Sequence, residues 1–119
     1  SLIGFNFFQL PIHGKIYKHG YQSYPCIFDI ENVNINNISE INKDRNSFME
    51  YLEANGISTR PATHAVHMLS YYRKKYDISA IDYPNAYLAN ESSISFPLFN
   101  GLTTKEQDYI IKKIGKYLD

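Results

Sequence analysis

The sequence predicts a single α+β domain in which helices pack on one face of a small antiparallel or mixed sheet. Runs rich in aromatic and β-branched residues, such as residues 21–30, alternate with segments whose apolar residues recur at helical spacing, such as residues 103–118. The chain has 119 residues, of which 44% are hydrophobic, and this is enough for one compact core. No internal repeat or change of composition divides it. We therefore expect one domain over residues 1–119.

The first half of the chain predicts a strand followed by a helix. An extended lead-in with two breaker residues precedes a strand at residues 21–30. The asparagine-rich residues 31–37 predict a surface loop, because asparagine side chains bond to nearby backbone groups in place of regular structure. Asn42 or Asp44 can cap the helix that follows, and Gly56 supplies the residue that ends it.

The second half predicts two short strands and three helices. The final helix has the clearest start in the chain, because Thr103 and Glu106 form a T-x-x-E capping box. Before it, the predicted elements are a short strand at residues 57–61, a helix at 64–76, a short helix at 82–90 and a half-buried strand at 93–98.

The predicted core lies between the sheet and the helices. The run Phe5 to Phe8 has no preceding element to cover it, so we expect its phenylalanines to stay exposed or to contact another molecule. The sequence does not begin with methionine, and we expect it to be a fragment of a longer protein. The expected core residues are Phe28, Phe48, Leu52, Ile94, Phe96, Ile110 and Ile114.

Charge and composition disfavour several classes of protein. The formal net charge is zero, so there is no overall positive field to attract nucleic acid or an anionic membrane. No apolar run approaches the roughly 18 residues of a membrane span, and the first residues lack the features of a signal peptide. Cys26 is the only cysteine, which excludes an internal disulfide. We expect a soluble, cytoplasmic protein.

The residues best suited to chemistry lie between Thr59 and His67. His64 and His67 are three residues apart and would share a helix face, but no Cys, Asp or Glu lies nearby in sequence to complete a metal site. Ordinary hydrogen-bonded histidines are therefore favoured. The chain has no G-x-S-x-G elbow, P-loop or dinucleotide fingerprint. The cluster Arg73-Lys74-Lys75 fits either a phosphate site or a solvated helix end.

Five segments together carry a resemblance to a known family. They are Asn55-Gly56-Ile57-Ser58-Thr59-Arg60-Pro61 with His67 and Tyr71 to Tyr76; Tyr83-Pro84-Asn85-Ala86; Ser95-Phe96-Pro97-Leu98-Phe99; Gly101-Leu102-Thr103 with Glu106-Gln107; and His19 to Tyr24. In this order and spacing they resemble the tail of the DegT/DnrJ/EryC1/StrS family of sugar aminotransferases.

The resemblance implies the carboxy-terminal small domain of a fold-type I, pyridoxal-phosphate-dependent enzyme. Such enzymes are homodimers that transfer an amino group, commonly from glutamate, to a nucleotide-linked keto sugar in polysaccharide or glycan biosynthesis. Their Schiff-base lysine and phosphate-binding residues lie in an amino-terminal large domain. The resemblance therefore implies no catalytic or cofactor-binding residue in this chain, which would be inactive alone.

The resemblance also implies which residues face the substrate. His67 matches a family histidine that approaches substrate and cofactor, where an imidazole can bond to a sugar hydroxyl or keto oxygen. Arg60 can pair with a carboxylate or a diphosphate oxygen, although a surface arginine is an equally good reading. Thr63 and His64 stand where many members have aromatic and proline residues. Gln22 lies on the strand whose polar residues face the cleft.

Two other functions remain open from the sequence. The chain could be a free-standing, non-catalytic α+β module that binds a ligand or another protein. It could also come from a family member that lost its lysine and acts as a sensor or dehydratase. The sequence encoded upstream would separate these readings.

Overall fold

A computed structural model describes residues 5–12 and 14–119. Over these residues the chain forms helices and a two-stranded antiparallel sheet, which confirms the predicted α+β class. Within the same ranges no helix is both long and apolar enough to cross a membrane. The strands are β1 (Tyr24–Ile27) and β2 (Ser93–Phe96), and the α-helices are α1 (Ile38–Ala54), α2 (Ser70–Tyr76), α3 (Pro84–Ser92) and α4 (Thr104–Leu118). Two 3₁₀ helices, Val66–Met68 and Ala80–Asp82, flank α2.

The two strands are extended sideways by single β-bridges. On the outer side of β1, Gln9 pairs with Ile27 through two backbone hydrogen bonds of 3.1 and 3.0 Å. On the outer side of β2, Arg60 pairs with Ser95 through bonds of 3.4 and 2.7 Å. The lead-in and the segment before the predicted helix 64–76 therefore run along the two edges of the sheet.

Each strand is shorter than the sequence predicted. Tyr21 and Asp29 adopt positive φ values of 46° and 51°, which a regular strand does not contain, so β1 is confined between them. Pro97 follows β2 and has no backbone N–H to continue the ladder. Pro61 has the same effect at the other edge. The predicted strand at residues 57–61 is therefore reduced to one bridge.

The first helix begins earlier than predicted. α1 starts at Ile38 with Asn37 as its N-cap residue, so Asn42 and Asp44 lie inside the helix and the predicted cap is wrong. The side chain of Asn37 accepts a hydrogen bond from the Asn34 N–H at 2.9 Å instead of capping the helix. The asparagine side chains of this loop thus bond to the loop's own backbone, as expected. The helix begins directly after the loop, at Ile38.

Of the helices predicted after α1, the one at residues 64–76 differs from the prediction and the final one agrees with it. The predicted helix 64–76 is split, because Leu69 takes an extended conformation (φ −68°, ψ 134°) between the first 3₁₀ helix and α2. The final helix is confirmed, including its capping box. Thr103 Oγ1 accepts from the Glu106 N–H at 3.2 Å, and Glu106 Oε2 accepts from the Thr103 N–H at 2.7 Å.

The core matches the prediction with two corrections. All of the predicted core residues are buried except Ile110, which is half-buried against the cluster. The expectation that the first phenylalanines stay exposed is wrong: Phe8 is only 5% exposed, and Phe5 and Phe7 pack half-buried against the core. The bridge made by the next residue, Gln9, holds this segment beside β1, so that the Phe8 ring meets the core.

Candidate functional site

A groove opens beyond the end of the sheet at which β1 begins and β2 ends. Its volume is about 360 Å³, and it combines hydroxyl and amide groups with an apolar wall and one cation. It brings together two residues that the sequence placed at the site, Gln22 and Arg60. An apolar groove beside α4 is larger, at about 400 Å³, but contains none of the predicted site residues. The lining residues of the first groove are Gln22, Ser23, Ser58, Thr59, Arg60, Ser95, Phe96, Pro97, Leu98 and Phe99.

Arg60 presents its side chain to the groove while its backbone is fixed. Its N–H and C=O both bond to Ser95, and the proline that follows restricts the chain further. The side chain is exposed, and within the described ranges the guanidinium makes neither a hydrogen bond nor an ion pair. A guanidinium offers five N–H donors in a planar fork that suits carboxylates and phosphates. This cation is therefore free to meet a ligand.

Thr59 contributes a hydroxyl that has no internal partner. Its Oγ1 atom is buried and makes no hydrogen bond to any described residue. A buried polar atom without a partner costs about 1–3 kcal/mol. Thr59 lines the groove, but its Oγ1 atom is almost inaccessible, so the hydroxyl does not face the groove in this structure.

The segment after Arg60 is held by side chains from β2 and α3. Ser93 Oγ accepts from the backbone N–H groups of Ala62 and Thr63, each at 3.2 Å. Asn90 Oδ1 accepts from the Ala65 N–H at 2.8 Å. These bonds satisfy the backbone of a segment that has no secondary structure of its own. The segment that follows Arg60 is therefore fixed by these two side chains.

A buried arginine supports this arrangement. Arg45 is 5% exposed, and its NH1 group donates to the carbonyl oxygens of Asn90 at 3.2 Å and Ser93 at 3.0 Å. Burial lowers the pKa of Arg45, and the nearby Glu91 carboxylate partly offsets this. Sequence reasoning missed the residue. The available signal was its position, because Arg45 falls on the apolar stripe of α1 where a hydrophobic residue is expected.

The other predicted site residues lie outside the groove. His67 is 7% exposed, and its Nε2 lies 2.9 Å from the Ala80 carbonyl oxygen. Because a carbonyl only accepts, Nε2 carries the proton and Nδ1 is left as an acceptor. The Tyr83 ring meets the imidazole edge to face at 5.2 Å. Thr63 and His64 are exposed on the segment that Ser93 and Asn90 hold.

Neither a metal site nor a reactive thiol is formed by the described residues. Over residues 5–12 and 14–119, no cluster of three or more His, Cys, Asp or Glu side chains is placed to bind a metal. Cys26 is 2% exposed, and burial raises the pKa of its thiol to about 12. The thiolate is therefore scarce at neutral pH, and Cys26 is part of the hydrophobic core.

The lysines do not fit the cofactor that the resemblance implies. Pyridoxal phosphate is bound through a lysine whose amino group is kept out of bulk water. Every lysine in the chain is exposed except the half-buried Lys113, and none lines the groove. The groove therefore offers no amino group that could hold pyridoxal phosphate as a Schiff base.

Comparison with known proteins identifies the family of this chain. The sequence pattern of the DegT/DnrJ/EryC1/StrS aminotransferase family matches residues 29–115. This range is most of the chain, and the chain belongs to that family. It includes residues 58–60 and 95–99 of the groove, while Gln22 and Ser23 precede it.

A relative extends the similarity toward the start of the chain. The uncharacterized protein MJ1066 of Methanocaldococcus jannaschii is 27% identical over 106 residues. The aligned region covers 89% of this chain and 25% of that protein. The chain therefore spans about a quarter of the length of this relative.

Proposed function

We propose that this chain forms one wall of the substrate cleft in a pyridoxal-phosphate-dependent aminotransferase that acts on a nucleotide-linked keto sugar. The family match over residues 29–115 carries the proposal. The groove supports it, because a sugar ring needs hydroxyl and amide partners beside an apolar wall, and these are the groups that line the groove.

The proposed roles divide between this chain and the remainder of a longer protein. The cofactor, which supplies the electron sink for amino-group transfer, would be held by residues outside this chain. The amino donor and a second copy of the parent protein would complete the active enzyme. The chain alone is proposed to be inactive, since all of its lysines except the half-buried Lys113 are exposed.

Within the chain, we propose two groups of substrate contacts. Gln22 and Arg60 bind the sugar from inside the groove. His67 accepts a hydrogen bond from a sugar hydroxyl at Nδ1, the nitrogen that Ala80 leaves free. Thr63 and His64 stand between these positions in sequence and would border the cleft.

A kinetic experiment on the full-length protein tests the proposal. Gln22→Ala removes an amide from the groove, and His67→Ala removes the imidazole. Loss of one hydrogen bond of about 1–3 kcal/mol lowers kcat/KM roughly 5- to 150-fold. The cofactor's visible absorbance should be unchanged in both variants, because neither residue is proposed to bind it. Gln107→Ala, on the exposed surface of α4, is the matched control and should behave as wild type.

Three results would contradict all or part of the proposal. A full-length protein without a cofactor-binding lysine would leave the groove as part of a non-catalytic binding module. Wild-type kcat/KM in both variants would show that neither the groove nor His67 contacts the sugar. If His67→Ala abolished cofactor absorbance, the imidazole would support the cofactor and not the substrate.

A further inference from the structure

The chain contains two pairs in which glycine follows asparagine, Asn55-Gly56 and Asn100-Gly101. Such a pair is chemically labile, because glycine has no side chain to keep its backbone nitrogen away from the asparagine side chain. The nitrogen can attack the side-chain amide carbon and close a five-membered ring. The fold decides how often the two groups meet, and it holds the two pairs in different ways.

Hydrogen bonds hold Asn55-Gly56 at the end of α1. The side-chain Nδ2 of Asn55 donates to the Tyr51 carbonyl oxygen at 2.8 Å, and the Asn55 carbonyl oxygen accepts from the Tyr109 hydroxyl at 2.8 Å. The N–H of Gly56, which carries the attacking nitrogen, donates to the Glu53 carbonyl oxygen at 2.9 Å. The side-chain amide and the backbone nitrogen are both engaged, so neither is free to approach the other.

Asn100-Gly101 forms the centre of an exposed turn between β2 and α4. One backbone hydrogen bond closes the turn, from the Leu102 N–H to the Phe99 carbonyl oxygen at 3.2 Å. Gly101 has a φ of 92° and the φ of Asn100 is not positive, which defines a type II turn. Among the residues that the structure describes, neither the Asn100 side chain nor the Gly101 N–H makes a hydrogen bond. Opening this turn therefore breaks a single bond.

We propose that Asn100 is a site of spontaneous deamidation and that the fold protects Asn55 from the same reaction. Hydroxide removes the proton from the Gly101 N–H, and the nitrogen attacks Cγ of Asn100. A C–N bond forms, the bond from Cγ to Nδ2 breaks, and the side-chain nitrogen takes a proton from water and leaves as ammonia. Water then opens the ring. Opening at Cγ gives aspartate, and opening at the main-chain carbonyl gives isoaspartate, in which the backbone runs through Cγ.

The products would change the wall of two grooves. Phe99, directly before Asn100, lines both the groove at the end of the sheet and the apolar groove beside α4, and Leu102 lines the second. Isoaspartate adds one methylene group to the backbone between these two residues, so the hydrogen bond that closes the turn should be lost. Either product also replaces a neutral amide with a carboxylate, which moves the formal net charge from zero to minus one.

Mass spectrometry of peptides from the incubated protein tests the proposal. The native protein is kept at mildly alkaline pH for several days and digested with trypsin, which separates the two pairs into different peptides. We expect the Asn100 peptide to show the mass change from an amide to a carboxyl group and to split into an aspartate and an isoaspartate form. It should convert at least about tenfold faster than the Asn55 peptide, because fewer hydrogen bonds must break first.

Two controls separate the effect of the fold from that of the sequence. In guanidinium chloride the bonds around Asn55 are lost, so both peptides should convert at rates within about twofold of each other. The residues that follow the pairs, Ile57 and Leu102, are isomers and favour neither pair. Asn100→Gln should abolish conversion at this position and leave Asn55 unchanged, because glutamine would have to close a larger ring.

Equal conversion of the two asparagines in the native protein would overturn the proposal. An Asn100 peptide that stays unmodified in the native protein while the denatured sample converts would also overturn it. A preference for Asn100 that persists in denaturant would place the cause in the local sequence and not in the fold, which is the third contrary result. The amide spectrum shows whether the incubated chain is folded. If the isolated chain is not folded, the same digest of the full-length protein decides.

Discussion

Replacing Ser93 with alanine should destabilise the domain by removing the acceptor that holds the segment after Arg60. Its hydroxyl receives two backbone N–H groups, those of Ala62 and Thr63, each at 3.2 Å. An N–H group left unpaired in the interior costs about 1–3 kcal/mol, and these two bonds are only partly buried, so water can compensate in part. We therefore expect Ser93→Ala to lower the free energy of unfolding by about 2 kcal/mol.

The adjacent serine provides a matched control. Ser92 is 0% exposed, and its hydroxyl donates to the Leu88 carbonyl at 2.6 Å. That carbonyl lies one turn earlier in α3 and also accepts a backbone helix bond, so Ser92→Ala leaves no group unpaired. We expect Ser92→Ala to change the free energy of unfolding by less than about 0.5 kcal/mol.

Urea denaturation of both variants measures the difference. Amide hydrogen exchange adds a local readout, because the Ala62 and Thr63 amides should lose protection in Ser93→Ala and keep it in Ser92→Ala. Equal stability of the two variants, with unchanged exchange at both amides, would refute the role given to Ser93.

Three further outcomes are expected. Phe96→Ala should cost about 3–5 kcal/mol of unfolding free energy in urea, whereas Phe99→Ala, at a ring that is 55% exposed, should cost less than about 1 kcal/mol; similar values would mean that the strand register is wrong. The hydrogen bonds from Thr103 lower the pKa of Glu106, so its stabilisation is present above the unfolded carboxyl pKa and is lost as pH falls through the folded value. Urea midpoints of Glu106→Gln and wild type should therefore converge in acid, and a constant gap would refute this. Cys26 should resist a thiol reagent in the native chain at mildly alkaline pH and react in urea, and fast native reaction would show that it is accessible.

Local signals in the sequence were sufficient for several elements. The capping box of Thr103 and Glu106 involves residues three apart, so it could be read directly and is confirmed. The alternation around Ile94 and Phe96 predicted correctly that both lie in the core, but the prediction that the strand is half-buried is wrong, because Ser93 and Ser95 on its other face are buried as well. In these cases the residues that decide the structure are close together in the chain.

Long-range contacts account for two of the errors. Arg45 bonds to backbone atoms of Asn90 and Ser93, which lie 45 and 48 residues away, and nothing in the local pattern reveals those partners. Phe8 enters the core because the next residue, Gln9, pairs with Ile27 of β1, which lies 18 residues later in the chain. Of the predicted site residues, Gln22 and Arg60 meet in one groove, while the role of His67 stays a prediction.

The contrast between Arg45 and Arg60 bears on how such a domain can diverge. The buried guanidinium is committed to two carbonyl oxygens of the scaffold, so few substitutions at position 45 can keep both bonds. Arg60 contacts the scaffold through its backbone alone. Any residue that tolerates an extended conformation can therefore replace it without disturbing the fold. Substitutions at position 60 can therefore change which ligands the groove binds, whereas substitutions at position 45 would destabilise the fold.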